Sequence, residues 1–270
     1  MKKNILIILS FLLLCNIQVY AFGTPPIEIT ENDGIYHIIL KGDKIKKRIK
    51  FVSSEHLITN REMHYKSGAR LTVNAGFFDP QNEKTISYII TDKQTTEDPL
   101  FNENLMQNPI LRRHMDKIVN RTEFRVIQCD DDNSWRYEIT PHKGSVDFAC
   151  SVINAASGGP LVYPELKLEE EFFILKKDGE IIRESASVLH KTSRTIIGLK
   201  NGEAHILIIT DEHPMDIYEV HDLCKQLEFD RAMAFDGGSS TSMNYKNKIE
   251  VVSTKGDGAG RSLKSFMLVY

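Results

Sequence analysis

Hydrophobic residues in this chain fall mostly into short runs rich in β-branched and aromatic side chains, closed off by Gly, Asp, Asn or Pro. Runs of this kind predict strands. They occur at Ile35–Leu40, Ile49–Ser53, Arg70–Asn74, Ile86–Thr91, Phe124–Gln128 and Trp135–Ile139. The second half adds Phe172–Leu175, Thr195–Leu199, Ala204–Thr210, Ala232–Phe235 and Lys264–Val269. Asn201-Gly202 separates two of these runs, and a two-residue type I′ hairpin needs positive φ at both of its central positions. Helical spacing is confined to two segments. One covers roughly Ile110–Val119 after Pro109, and the other Ile217–Leu227, where Ile217, Val220, Cys224 and Leu227 share a face. Asp216 and Glu219 sit at the spacing of a capping box before the second. The predicted class is α+β: a large mixed, mostly antiparallel sheet with a few packed helices.

The N-terminus has a different pattern. Lys2 and Lys3 precede an apolar run, Ile5–Leu14, that is too short to cross a bilayer, and Val19-Tyr20-Ala21 fits a small-residue cleavage site. Residues 1–21 read as a secretory signal peptide and 22–270 as one domain. The expected location is therefore exported, periplasmic or secreted. Lipid attachment at Cys15 is the less favoured alternative, because Leu14 is bulky. An oxidising compartment permits one disulfide among Cys129, Cys150 and Cys224; Cys129 with Cys150 is the nearest pair, and buried free thiols fit equally.

Composition narrows the partners. A formal net charge of −3 argues against nucleic-acid binding. The one basic cluster, Lys44–Lys50, is interleaved with Ile45 and Ile49 and reads as an edge strand or hairpin with a solvated lysine face. Asp130-Asp131-Asp132 lacks the spaced ligands of a calcium loop and reads as a hairpin tip. No zinc-ligand spacing occurs, so no cofactor is expected, with calcium left open.

Five segments place reactive side chains at element ends. They are Val73–Asp79 (VNAGFFD), Asn154–Val162 (NAASGGPLV), Thr192–Gly198 (TSRTIIG), Ala234–Met243 (AFDGGSSTSM) and Gly256–Arg261 (GDGAGR). In the fourth, an apolar run delivers Asp236 to a turn whose two glycines let the main chain bend sharply and approach a ligand. In isolation it is equally an ordinary Asp-Gly turn.

In this order the segments resemble the phosphodiester glycosidase family. The matching stretches are Asn74–Phe78, Gly158–Val162, Arg194–Gly198, Asp236–Thr241 and the late Arg261, with Asp211 ending a hairpin strand. The chain departs from the family pattern at Ser239, where a third glycine is usual, and at Asp211-Glu212, where Asp-Gly is usual.

The resemblance implies a hydrolase that splits the bond between an N-acetylglucosamine-like anomeric carbon and a phosphodiester. Its substrate would be a sugar-phosphodiester or glycan. On this reading Asp236 is the catalytic carboxylate, acting as base or nucleophile, with Asp211 or Asp79 as the second. Arg194 and Arg261 would hold phosphate. The N–H groups of Gly158, Gly159, Gly237 and Gly238 would assist, while Asn74, Ser239, Ser240 and Thr241 would orient the substrate. Two alternatives stand beside it: a non-catalytic carbohydrate-binding protein in envelope or exopolysaccharide assembly, and a metal-dependent phosphodiesterase using Asp236 and Asp211 as ligands.

Overall fold

The computed structural model describes residues 26–253 and 258–270. The signal peptide predicted at 1–21 lies outside them. The class is α+β as predicted, but the strands divide into three main sheets, and every strand pair described is antiparallel.

The first sheet has six strands in the order 27–32, 35–40, 203–209, 194–200, 231–234, 161–163. The second runs 135–141, 122–129, 150–157, 89–91, 94–97, and the third 249–252, 242–245, 71–74, 263–269, 49–58. One core joins all three: Ile38, Ile197 and Ile206 from the first, Phe124 and Val126 from the second, Phe51, Leu71 and Val73 from the third. Phe51 sits edge-on to both Phe124 and Phe235. A strand exposes alternate side chains to opposite faces, so the unbroken run Ile206-Leu207-Ile208-Ile209 requires cover on both sides. Ile206 and Ile208 enter the shared core, whereas Leu207 and Ile209 meet Ile217, Val220 and Cys224 of the helix Ile217–Gln226. That helix begins in the expected capping box, with Asp216 and Glu219 each accepting the other's main-chain N–H. Asn201 and Gly202 both take positive φ, 53° and 76°, as the hairpin requires.

Four local expectations change. The helix at 110–119 is two short pieces, Pro109–Arg113 and Met115–Ile118, broken at His114, whose ring stacks on Phe172 with centroids 4.2 Å apart. The basic cluster begins as a helical turn, Asp43–Lys46, before an edge strand, Ile49–Ile58. The stretch Asn154–Val162, whose small residues predict a loop feeding an apolar strand, instead begins inside a strand, Cys150–Ser157. A further helix, Asn60–Ser67, is capped by Thr59 and Glu62 and closed by Gly68 at φ 65°. The acidic triplet does lie in the turn between strands 122–129 and 135–141, where Asp132 accepts from the Ser134 N–H. Cys129 and Cys150 face each other across the 122–129/150–157 pair as a disulfide, and Cys224 is a buried thiol.

Candidate active site

Asp236 follows the strand Arg231–Ala234, where the chain passes from the first sheet to the third. Three successive main-chain bonds clip this crossing. Phe235 N–H donates to Thr195 O, Asp236 N–H to Ala75 O, and Gly238 N–H to Ser193 O. Asn74, buried at the end of strand Leu71–Asn74, adds a side-chain brace: its Nδ2 donates to the Asp236 carbonyl at 2.6 Å. Its Oδ1 accepts from Thr195 Oγ1 at 2.7 Å and from the Ser242 N–H at 3.0 Å. The amide oxygen and one N–H of Asn74 thus both serve the crossing. At Gly237 a Cβ would come within 3.1 Å of the Ser193 carbonyl. Gly238, at φ 58°, opens the single turn Gly238–Ser240.

This geometry carries the Asp236 side chain to the boundary of two cavities. One, about 260 Å³, is walled by Phe77, Phe78, Ile86, Leu105, Leu111, Ile118 and Phe173, with Arg121, Arg183 and Ser185 among them. The other, about 430 Å³, is polar: Ser187, His190, Lys191, Thr192, Gly237, Gly238 and Ser239 line it. Ala186, Asp236 and Arg261 belong to both. Among the described residues Asp236 is the sole carboxylate lining either cavity.

Burial pushes the Asp236 pKa up to about 6, against the pull of the Ser240 hydroxyl, the Arg261 charge and the Gly237 N–H. Desolvation disfavours the charged form, and the two donors and the nearby positive charge offset only part of it. Arg261 donates to Ser239 Oγ at 3.2 Å and Ser240 Oγ at 3.4 Å, and its guanidinium lies over Phe78 at 4.8 Å. Two further arginines of the smaller cavity have the same setting. Arg121 lies 4.0 Å over Phe173, and Arg183 lies 4.4 Å over Phe172. Burial lowers Arg121 to about 10, which leaves it charged at neutral pH.

The other residues singled out in the sequence fall elsewhere. Arg194 is buried and lines neither cavity. Its Nε donates to Met215 O, and its Nη2 reaches the carbonyls of Ser187, Val188 and His190 at 2.9, 3.1 and 2.6 Å. It secures the segment that walls the polar cavity. Gly158 gives its N–H to Thr122 O, and a Cβ there would sit 2.6 Å from Ala234 O. Gly159, at φ 81°, packs against Glu171, the buried carboxylate that accepts from Thr122 and Leu161. These two glycines let strands approach and do not line the cavities. Asp211 lines a separate recess with Glu212 and Glu250 and accepts from Ser253 Oγ at 2.8 Å. Ser193 Oγ contacts Ser253 Oγ and the Gly238 carbonyl, so a chain of hydroxyls links Asp211 to the Asp236 turn. Asp79 is occupied by Gln81 N–H and Asn104 Nδ2. Ser239 lines the polar cavity, Ser240 faces Asp236, and Thr241 is buried below the turn.

Arg121, Arg183, Ser185 and the Phe172-Phe173 pair enter the site without a sequence signal strong enough to mark them. Arg183 lies in an exposed hairpin strand, Glu180–Glu184, and Phe172 turns the chain at φ 57°. Among the described residues no group of three His, Cys, Asp or Glu side chains is arranged to hold a metal ion.

A family profile described as phosphodiester glycosidase matches residues 67–270. No curated protein matches in sequence. Among solved structures, the catalytic domain of zebrafish N-acetylglucosamine-1-phosphodiester alpha-N-acetylglucosaminidase, auto-inhibited by its pro-peptide, superposes with a TM-score of 0.64. The two are 12% identical, over 92% of this chain and 85% of that one. A Burkholderia pseudomallei protein assigned as exported gives a TM-score of 0.60 at 10% identity, over 87% of this chain and 73% of the other. A hypothetical protein from Synechocystis gives 0.59 at 11% identity, over 90% and 61%. At these identities the structures share a fold.

Proposed function

This chain belongs to the phosphodiester glycosidase family, and from that premise we propose that it hydrolyses the bond between a sugar anomeric carbon and a phosphodiester oxygen. The observation that carries the reading is the position of Asp236, the sole carboxylate among the described residues at the shared boundary of a polar and an arginine-bearing cavity, with Arg261 beside it. The hydroxyls and main chain of the polar cavity suit an N-acetylglucosamine-like sugar. Arg261, with Arg121 and Arg183 beyond it, suits the phosphate.

Water adds to the anomeric carbon, the carbon–oxygen bond to phosphate breaks, and the bonding pair leaves with a phosphate monoester. The proton of the water passes to Asp236. Glycosidases commonly need a second carboxyl group to protonate the leaving oxygen. A phosphate leaving group stabilised by arginines removes that need, which fits the one carboxylate that lines these cavities among the described residues. Asp236 near pKa 6 is ionised at neutral pH and still basic enough to take a proton.

Export completes the proposal. The leader pattern at 1–21 and the Cys129–Cys150 disulfide both suit an oxidising compartment. Among the described residues no helix is long and apolar enough to cross a membrane.

Hydrolysis of an N-acetylglucosaminyl phosphodiester in ¹⁸O-water tests the bond that breaks. The proposal expects the label in the released sugar. Label in the phosphate marks a phosphodiesterase, and binding without turnover marks a carbohydrate-binding protein.

A further inference from the structure

The smaller cavity is built unlike a sugar site. Eight of its lining residues are apolar, and its polar members are arginines laid on phenylalanine rings, Asp236 and one serine. Ser185 Oγ is buried there and has no hydrogen-bond partner in the structure, although its own N–H is held by Phe173 O. A buried hydroxyl without a partner is costly unless a ligand supplies one. Arg121 and Arg183 each give a bond to the main chain, at Glu171 O and Phe172 O, which fixes where their remaining N–H groups point.

Charge and surface chemistry here make different demands. Among the described residues, three arginines against one carboxylate leave the chamber positive, which suits a phosphate. The surrounding Ile86, Leu105, Leu111, Ile118 and the phenylalanines offer a sugar alcohol no hydrogen bonds. Ile86 and Leu111 keep part of their surface uncovered. Beside these walls, the helix that supplies Leu111 exposes Ile110, and the turn Pro99–Phe101 that precedes the Leu105 helix exposes Leu100 and Phe101, the last 75% exposed.

Resting on the hydrolytic reading above, we propose that the arm leaving with the phosphate is a hydrophobic alcohol, so that the substrate is a sugar joined through phosphate to an aliphatic chain. The chain lies along the apolar walls, the phosphate meets Arg261, Arg121, Arg183 and the Ser185 hydroxyl, and the sugar occupies the polar cavity across Asp236. The product in this chamber is an alkyl phosphate monoester.

A series of N-acetylglucosaminyl phosphodiesters with methyl, butyl, octyl and glucosyl arms tests this, alongside calorimetric binding of methyl and octyl phosphate. Burying each methylene strengthens binding roughly 3- to 4-fold. The expected kcat/KM therefore climbs from methyl to octyl until the chamber is full, with octyl at least about 30-fold above methyl and above glucosyl. Octyl phosphate should bind tighter than methyl phosphate by a similar factor. Leu111→Glu should flatten the octyl-to-methyl ratio, a readout independent of how much protein folds. Equal kcat/KM along the alkyl series, or preference for the glucosyl arm, overturns this inference while leaving hydrolysis standing. No turnover of any diester overturns the hydrolytic reading and this inference with it.

Discussion

Asn74 holds Asp236 by its main chain and not by its carboxylate: the side-chain amide of one donates to the carbonyl of the other at 2.6 Å. The residue that looked from sequence like a substrate ligand instead fixes the turn that presents the proposed catalytic base.

Asn74→Ala therefore strips partners from three buried groups: the Asp236 carbonyl, the Thr195 hydroxyl and the Ser242 N–H. A buried polar group left unpaired costs about 1–3 kcal/mol. Urea unfolding should show a loss of roughly 3 kcal/mol. In the fraction that remains folded, kcat should fall with KM nearly unchanged. A large rise in KM alone would mean that Asn74 touches the sugar.

Arg194→Ala should behave as a core lesion. Its guanidinium answers four carbonyls, three of them in the 187–190 segment that walls the polar cavity. Hydrogen bonds to a charged group contribute about 1.5–3 kcal/mol each before non-additivity. The expected result is a destabilisation of roughly 3 kcal/mol or more. Arg194→Lys should rescue little of it, because an ammonium cannot span the same carbonyls. Thermal melting compared across the two variants checks this.

The pH dependence follows from the raised pKa of Asp236, about 6. Activity that needs the carboxylate should rise through pH 6 to a plateau, read as the acid limb of kcat/KM. Ser240→Ala removes a donor that favours the charged form, so the limb should move to higher pH. The linkage has the opposite sign for stability. The native protein binds the Asp236 proton more tightly than the unfolded chain, whose pKa is near 3.8. Stability from this group is thus present below that value and lost as pH rises to 6. Asp236→Asn should melt above wild type at pH 7.5, by the order of 1 kcal/mol after allowing for solvent contact, and level with it at pH 4. Melting curves at the two pH values decide it.

What was legible in the sequence follows from which forces act locally. Strands at 35–40, 122–129, 194–200 and 203–209, the Asn201-Gly202 turn and the cap at Asp216 stand out, because alternation, turn chemistry and capping are properties of neighbouring residues. The Thr59–Glu62 cap and Gly68 were equally readable marks of the helix at Asn60–Ser67. Asp236 and Arg261 reach the cavities, but Arg194, Asn74, Gly158 and Gly159 serve the scaffold. An arginine opening a buried strand must be paired, and its sequence does not say whether carbonyls or a ligand do the pairing. Arg121 comes from one segment and Arg183 and Ser185 from another about sixty residues later, and the packing of the Phe77 and Phe172 pairs brings them to one chamber.

The most direct test of the central claim is release of free N-acetylglucosamine from a simple N-acetylglucosaminyl phosphodiester by wild type and by Asp236→Asn at pH 7.5. Positioned acid–base groups contribute about 10²- to 10⁴-fold, so the variant should retain its fold and lose at least about 100-fold in kcat. An Asp236→Asn protein that releases sugar within a few-fold of the wild-type rate would contradict the account.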